Sequence, residues 1–309
     1  MQSIHLLCIL DDVLWKYVVI GVAVCAAAGF ARGEPSQSEA ARKAVADLDW
    51  RTAGQLYTEL RQSSSIASAQ WTQATYGLAT ATLQNQPLSA DAVRQADSLY
   101  AQVIASSADD AYVARALISR GRILEMQDYL NDVIDLPGAR AFYQQVMQRF
   151  PKSPLANEAA LRAGASLVMS YDAPKFDDVK SGLALMEAWQ AEHPGNAFAA
   201  VMWQYMGDSY FIPLDDKKNA LRCYEEVDKL GWPDQGNQGP TYWRCALLAD
   251  KYLDQRETAV KYYTKIITET PNSGKAYEAL LALKRLGAPL PDAPLLRDPD
   301  GPTTQDAKP

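Results

Sequence analysis

Residues 139–143 read ARAFY, and the same spacing of alanine and tyrosine recurs as ALRCY at 220–224 and AVKYY at 259–263. A small residue followed four positions later by tyrosine or methionine occurs six times, and successive large members are 43, 43, 43, 38 and 39 residues apart. The pairs are Ala53/Tyr57, Ala96/Tyr100, Ala139/Tyr143, Gly182/Met186, Ala220/Tyr224 and Ala259/Tyr263. Positions i and i+4 share one face of an α-helix, so the small residue lets a neighbouring helix approach while the large side chain fills the adjacent space. The fixed period predicts stacked helical units rather than one globular core.

A second helix in the unit is marked by glycines at a similar period. Gly77, Gly121, Gly164 and Gly207 are spaced 44, 43 and 43 residues apart. Each lies in an apolar helical stretch, where glycine costs about 1 kcal/mol relative to alanine. We therefore expect each glycine to let the first helix of a unit touch the second with no side chain between them. Pro151, Pro194 and Pro271, each eight residues after a large member, then end the second helix.

This pattern resembles the tetratricopeptide repeat (TPR) family, whose consensus runs Trp-x2-Leu-Gly-x2-Tyr, then alanine, an aromatic residue and a closing proline. The first half is matched by Trp203, Met206 in place of leucine, Gly207 and Tyr210, and the second half by Ala259, Tyr263 and Pro271 with Trp243 upstream. The resemblance covers residues 36–286. It implies an all-α solenoid of about six helix-turn-helix repeats plus a C-terminal capping helix, which Ser273 would N-cap and Gly287 would end. The runs at 150–159, 194–197 and 271–273 are most similar to TPR proteins of the bacterial envelope.

The two ends of the chain differ in composition from the repeats. Residues 1–33 contain a 15-residue apolar run at 17–31, which is shorter than the ~20 residues that a membrane span needs. Small residues close to its end favour a cleaved signal peptide over an N-terminal anchor, and Cys25 leaves lipidation open. Residues 287–309 are rich in proline and predict a disordered tail. The sequence thus predicts export to the periplasm or cell envelope, with membrane contact only through the N-terminal segment.

Composition argues against catalysis and nucleic-acid binding. The formal charge is −7 and the sequence has no cluster of lysine and arginine, which nucleic-acid binding would require. His193 is the single histidine outside the leader and is placed at a predicted helix end, so neither a histidine triad nor a multi-histidine metal site can form. The acidic pairs at 109–110, 177–178 and 215–216 are predicted to cap helices and to favour the helix dipole. We expect no enzyme activity, no metal site and no cofactor.

Two cysteines remain outside the leader, Cys223 and Cys245. They are predicted to lie on antiparallel neighbouring helices, so a disulfide is possible in an oxidising compartment. The alternative is a pair of buried thiols that pack as small apolar groups.

The TPR resemblance implies a concave groove, lined by first helices, that binds extended peptides. The outward positions of these helices are Trp71, Arg115, Arg122, Gln204, Asp208, Phe211, Arg244, Lys251 and Tyr252. The sequence therefore predicts a non-catalytic scaffold or adaptor that binds protein or peptide partners, although each of these residues could equally belong to a solvated face. Two other functions stay open: a glycan- or peptidoglycan-associated accessory to a cell-wall enzyme, and a structural component of a homo-oligomer.

Overall fold

The computed structural model describes residues 36–168, 176–233, 236 and 238–292, and this part of the chain is all-α. The predicted leader at 1–33 and the tail from residue 293 lie outside the described residues. The helices are α1 (Gln37–Ala46), α2 (Trp50–Gln62), α3 (Ala69–Gln84), α4 (Ala90–Ser106), α5 (Asp110–Glu125), α6 (Leu136–Arg149), α7 (Pro154–Val168), α8 (Phe176–Glu192), α9 (Ala199–Phe211), α10 (Lys217–Leu230), α11 (Gln238–Leu247), α12 (Arg256–Glu269) and α13 (Ala276–Arg285). A π-helical turn, Leu248–Tyr252, extends α11. None of the described helices is both long and apolar enough to span a bilayer.

The chain divides into two compact units, with unit 1 ending at Pro174 and unit 2 beginning at Lys175. The sequence predicts one repeat domain over 36–286. In unit 1 each helix packs on its chain neighbours, and α3 also touches α5, as α5 touches α7. In unit 2, α9 packs on α10, α11 on α12, and α12 on α13, while the π turn contacts α10 and α12. Packing within each unit therefore follows the order of the helices in the chain.

Short polar side chains set the starts of several helices. Ser36 and Glu39 form a capping box on α1, and Asp109 accepts hydrogen bonds from the backbone N–H groups of Ala111 and Tyr112. Asp216 caps α10 in the same way, so two of the three acidic pairs contribute a cap, while Asp177 and Asp178 lie in the first turn of α8. These side chains satisfy backbone donors that have no partner within the helix.

The last helix begins later than the sequence indicates. Its N-cap is Lys275 rather than Ser273, and Lys275 makes no side-chain capping bond. The chain first turns after Pro271, and the Ser273 hydroxyl accepts a hydrogen bond from the backbone N–H of Lys275 at 3.3 Å. Gly287 ends the helix with φ of +62°, a conformation that favours glycine.

The alanine and tyrosine side chains that define the period are buried. In the five pairs that contain tyrosine, every alanine and tyrosine is at most 5% exposed. Gly164 is buried on α7 of unit 1, and Gly182 and Met186 are buried on α8 of unit 2. A methyl group on Gly207 would lie 2.6 Å from Cε1 of Tyr224, and one on Gly121 would lie 2.7 Å from Cζ of Tyr143. The first and second helices of these two pairs therefore meet through a glycine and a tyrosine ring.

Gly77 makes the same kind of contact with a different partner. A methyl group on Gly77 would lie 2.5 Å from Cζ of Tyr57, which belongs to the preceding helix α2 rather than to α4. Tyr100 on α4 instead packs against Tyr76, with ring centroids 5.3 Å apart. The close approach at Gly77 thus joins α3 to the helix before it.

Candidate functional site

Tyrosine, carboxylate and arginine side chains connect three successive helices in unit 1. The Tyr143 hydroxyl on α6 donates a hydrogen bond of 2.7 Å to Oε2 of Glu125 on α5. Arg162 on α7 donates through Nη1 to the other oxygen of Glu125 and through Nε to Glu158 at 2.9 Å. The Arg162 side chain is only 4% exposed. Burial and then the charge of Glu125 raise the pKa of Tyr143 well above its usual range.

Unit 2 contains the same connection twice. The Tyr224 hydroxyl on α10 donates to Oδ1 of Asp208 on α9 at 2.7 Å, and Arg244 on α11 donates through Nη1 to that oxygen at 2.6 Å. In the second, the Tyr263 hydroxyl donates to Asp250 at 3.1 Å, and Arg285 on α13 also pairs with Asp250.

We call each of these three sets a Tyr–acid–Arg link. A partly satisfied buried polar group is costly, whereas a connected network makes the local geometry rigid. The links therefore fix the spacing of successive helices and hold their arginines in place. Sequence reasoning interpreted these tyrosines as space-filling rings and missed the role of their hydroxyl groups.

The links hold one of the predicted binding residues, Arg244, in a defined position. Its guanidinium lies 5.0 Å from the ring centroid of Phe211 and donates to the Tyr224 hydroxyl at 2.8 Å. The side chains of Arg244 and Asp208 remain 34% and 29% exposed. Burial raises the pKa of the Asp208 carboxyl, although Arg244 and Tyr224 act in the opposite direction.

Four residues predicted for the groove are connected by contacts that include Lys217, a lysine that the sequence did not single out. The Lys217 ammonium nitrogen lies 4.7 Å from the ring centroid of Phe211 and 5.6 Å from that of Tyr252. Phe211 in turn carries Arg244, which is paired with Asp208. We call Asp208, Phe211, Lys217, Arg244 and Tyr252 the unit 2 face. The sequence offers little indication of Lys217, because Lys217 begins a second helix and the predicted groove is lined by first helices.

The cations on and beside the unit 2 face pair with neighbouring carboxylates. Asp208 pairs with Arg244, Asp215 with Lys217, and Asp250 with Lys251 at 3.2 Å. The surface that remains is aromatic and aliphatic, since Tyr252 is 64% exposed and Ile212 is 71% exposed. Gln204, one turn before Asp208 on α9, is half-buried.

The π turn places Tyr252 at the exposed end of α11. The backbone N–H of Leu253 donates to the carbonyl of Leu248 at 3.1 Å, five residues back. Such widened turns are frequent at functional sites because they displace side chains from the regular helical register. Asp254 follows with φ of +51° and turns the chain toward α12.

The predicted groove residues of unit 1 do not form a comparable set. Trp71 is 4% exposed and is a core residue, because α2 covers it; Arg61 of that helix lies 5.7 Å above its ring. This corrects the prediction that Trp71 contacts a ligand. Arg122 is half-buried. Only Arg115 is exposed as predicted.

Neither cysteine forms the predicted disulfide, because Cys223 and Cys245 are both free and buried. Burial raises the pKa of Cys223 to about 12, so the two residues follow the alternative of buried thiols. His193 stacks on Trp189 at 3.9 Å, and its Nδ1 lies 3.2 Å from the Trp189 carbonyl oxygen. Within the described ranges, no group of three or more His, Cys, Asp or Glu side chains could hold a metal ion.

No protein-family model matches the sequence, and no curated protein shows significant similarity to it.

Proposed function

We propose that the chain is a non-catalytic, TPR-like helical scaffold that binds a segment of a partner protein through the unit 2 face. The observation that carries this proposal is a connected set of contacts: Lys217 lies over Phe211 and Tyr252, Arg244 also lies over Phe211, and Asp208 pairs with Arg244. The TPR resemblance assigns binding roles to Asp208, Phe211, Arg244 and Tyr252, which lie on α9, on α11 and in the π turn. A surface that presents side chains from successive first helices is the kind that helical repeats use for recognition.

The chemistry of the face suits a protein segment with apolar side chains. Tyr252 exposes most of its surface, as does Ile212, which follows Phe211 in the chain, and aromatic anchors contribute much of the binding energy at protein interfaces. Arg244 is held by Asp208 and Tyr224, so its ordering costs little entropy when a partner binds. Arg244 and Lys217 each pair with a carboxylate, Asp208 and Asp215, so the unit 2 face itself carries little positive charge to attract a polyanion.

We further propose that this binding takes place after export, in the periplasm or cell envelope. The support is the composition of residues 1–33, an apolar run followed by small residues. The partner is then a protein of the same compartment.

Site-specific crosslinking in cells tests the proposal. A photoreactive amino acid is placed at Ile212 or Tyr252, and at Ile66 as a control that is equally exposed but lies in unit 1. We expect the same protein to be trapped from positions 212 and 252 and not from position 66. Trapping of the same set of proteins from all three positions, or of no protein from 212 and 252, would contradict the proposal.

A further inference from the structure

The C-terminal end of α13 is joined to the turn that presents Tyr252. Arg285, in the last turn of α13, pairs with Asp250 in the π turn. Arg256, the first residue of α12, donates through Nη2 to the backbone carbonyl of Leu286, the C-cap of α13, at 2.6 Å. These two contacts reach the chain at positions 250 and 256, on either side of Tyr252. One helix terminus therefore holds both ends of the segment that carries this tyrosine.

The Asp250 carboxylate is the buried centre of the first contact. Its side chain is only 5% exposed, whereas that of Arg285 is 49% exposed. The carboxylate also accepts a hydrogen bond from the Tyr263 hydroxyl at 3.1 Å and lies 3.2 Å from Nζ of Lys251. Burial raises the pKa of Asp250, but these three partners outweigh burial, so its pKa is lowered. Of the three, Lys251 belongs to the π turn and Tyr263 to α12, and Arg285 brings in α13.

Tyr252 itself is held weakly by side-chain packing. It is 64% exposed, and the Lys217 ammonium nitrogen lies 5.6 Å from its ring centroid. Segments with few buried contacts open locally at a low cost in free energy. The direction of the ring therefore depends on the backbone of the π turn, which is the part of the chain that the end of α13 holds.

We infer that Arg285 and Arg256 are positioning residues that order Tyr252 before a partner binds, so that the docking of α13 controls the affinity of the unit 2 face. This inference rests on the function proposed above and adds a means of regulation to it. Association costs less entropy when a contact residue is already ordered, and losing that order should weaken binding by about two- to tenfold. Displacing the end of α13 would thus weaken binding at a surface to which α13 contributes no side chain.

Hydrogen–deuterium exchange of the full chain, followed by mass spectrometry, tests the inference without a partner. Peptides covering residues 248–256 contain the N–H groups of Leu253 and Gln255, which donate to the carbonyls of Leu248 and Ala249 at 3.1 and 2.9 Å. Peptides covering residues 209–216 report on the turn between α9 and α10 in the same unit. The R285Q/R256Q variant should exchange about threefold or more faster than the native chain at 248–256, and at an unchanged rate at 209–216.

R222Q supplies the matched control. Arg222 is also exposed in unit 2 and pairs with Glu187 across 35 residues, the same separation as Arg285 and Asp250. We expect R222Q to leave exchange at 248–256 unchanged. R285Q alone removes one exposed side chain and should give a smaller change of the same kind, which carries the test if the double variant does not fold.

Two exchange results would overturn the inference. The first is equal exchange at 248–256 in the native chain and in the arginine variants. The second is an equal acceleration at 209–216, because the two arginines would then stabilise the whole unit rather than the segment around Tyr252.

Crosslinking in cells separates this inference from the proposed function. With the photoreactive amino acid at position 212, R285Q should lower the yield of the trapped protein about two- to tenfold, and should have no further effect in a Tyr252→Ala background. Equal reductions in both backgrounds, or no reduction in either, would overturn the inference and leave the unit 2 face as the binding surface. Absence of any trapped protein from the native chain would instead remove the proposed function, and the exchange measurement would still decide whether α13 holds the π turn.

Discussion

Replacing Gly121 by alanine tests the packing of glycine against a tyrosine ring. The added methyl group would lie 2.7 Å from Cζ of Tyr143, whereas carbon atoms prefer separations of about 3.5–4.0 Å. The ring cannot move aside easily, because it is 0% exposed and its hydroxyl is bound to Glu125. Overpacking of this kind costs about 1–3 kcal/mol, against a gain of about 1 kcal/mol in helix propensity. We therefore expect G121A to be destabilised by up to about 2 kcal/mol.

Gly54 supplies the matched control because it also lies inside a helix, α2. A methyl group there would meet only Cβ of Ala81, at an ordinary 3.8 Å, so G54A should be more stable than the native chain by up to about 1 kcal/mol. The propensity gain is common to both variants, and the difference between them isolates the cost of the ring contact. Urea unfolding followed by circular dichroism at 222 nm measures both. A G121A variant that is as stable as G54A would refute the reasoning.

Three further predictions concern the buried polar groups. Tyr143→Phe should destabilise the chain by about 1–3 kcal/mol in urea unfolding, because Glu125 loses a buried donor. An unchanged urea midpoint would show that this Tyr–acid–Arg link does not stabilise the fold. Burial raises the pKa of Asp228, but its bonds to Lys265 and Lys261 outweigh this, so its pKa is lowered from 3.8 in the folded chain. The stability that ionised Asp228 contributes is therefore present above pH 3.8 and is lost as the pH falls through the folded pKa. Between pH 5 and pH 2, the free energy of unfolding of Asp228→Asn should fall less than that of the native chain. Equal falls in the two proteins would contradict this. Cys223 and Cys245 should resist iodoacetamide at pH 8 in the folded chain, because burial raises the pKa of both thiols. Both should react in urea without reductant, as mapped by mass spectrometry. A disulfide between them would overturn the prediction.

The regular part of the fold could be predicted from the sequence because it depends on contacts that repeat at a fixed spacing. The pairs of alanine and tyrosine, the helix ends just before Pro151 and Pro271, and the cap at Asp109 each follow from residues within one or two turns of a helix. Six helix pairs plus a final helix correspond to the thirteen α-helices of the described residues. The chain divides into two compact units between Pro174 and Lys175. Local periodicity does not indicate where such a boundary falls.

The Tyr–acid–Arg links could not be predicted in the same way. The acidic residue precedes the tyrosine by 18, 16 and 13 residues in the three links, so no fixed spacing identifies it. Trp71 was misassigned for a related reason: its helix is amphipathic in pattern, but Arg61 of α2 covers the position that the pattern leaves outside. Exposure at a helix surface depends on which neighbours pack there, and those neighbours are distant in the chain.

The most direct test of the central claim is the affinity of the partner trapped from positions 212 and 252, measured by calorimetry with the purified chain. Tyr252→Ala with Ile212→Ala should weaken binding about tenfold or more, because the loss of central apolar anchors typically costs over 1 kcal/mol. Ile66→Ala, at a position equally exposed in unit 1, should leave the affinity within twofold. Equal affinities for the native chain and the Ile212/Tyr252 variant would contradict the assignment of the unit 2 face as the binding surface.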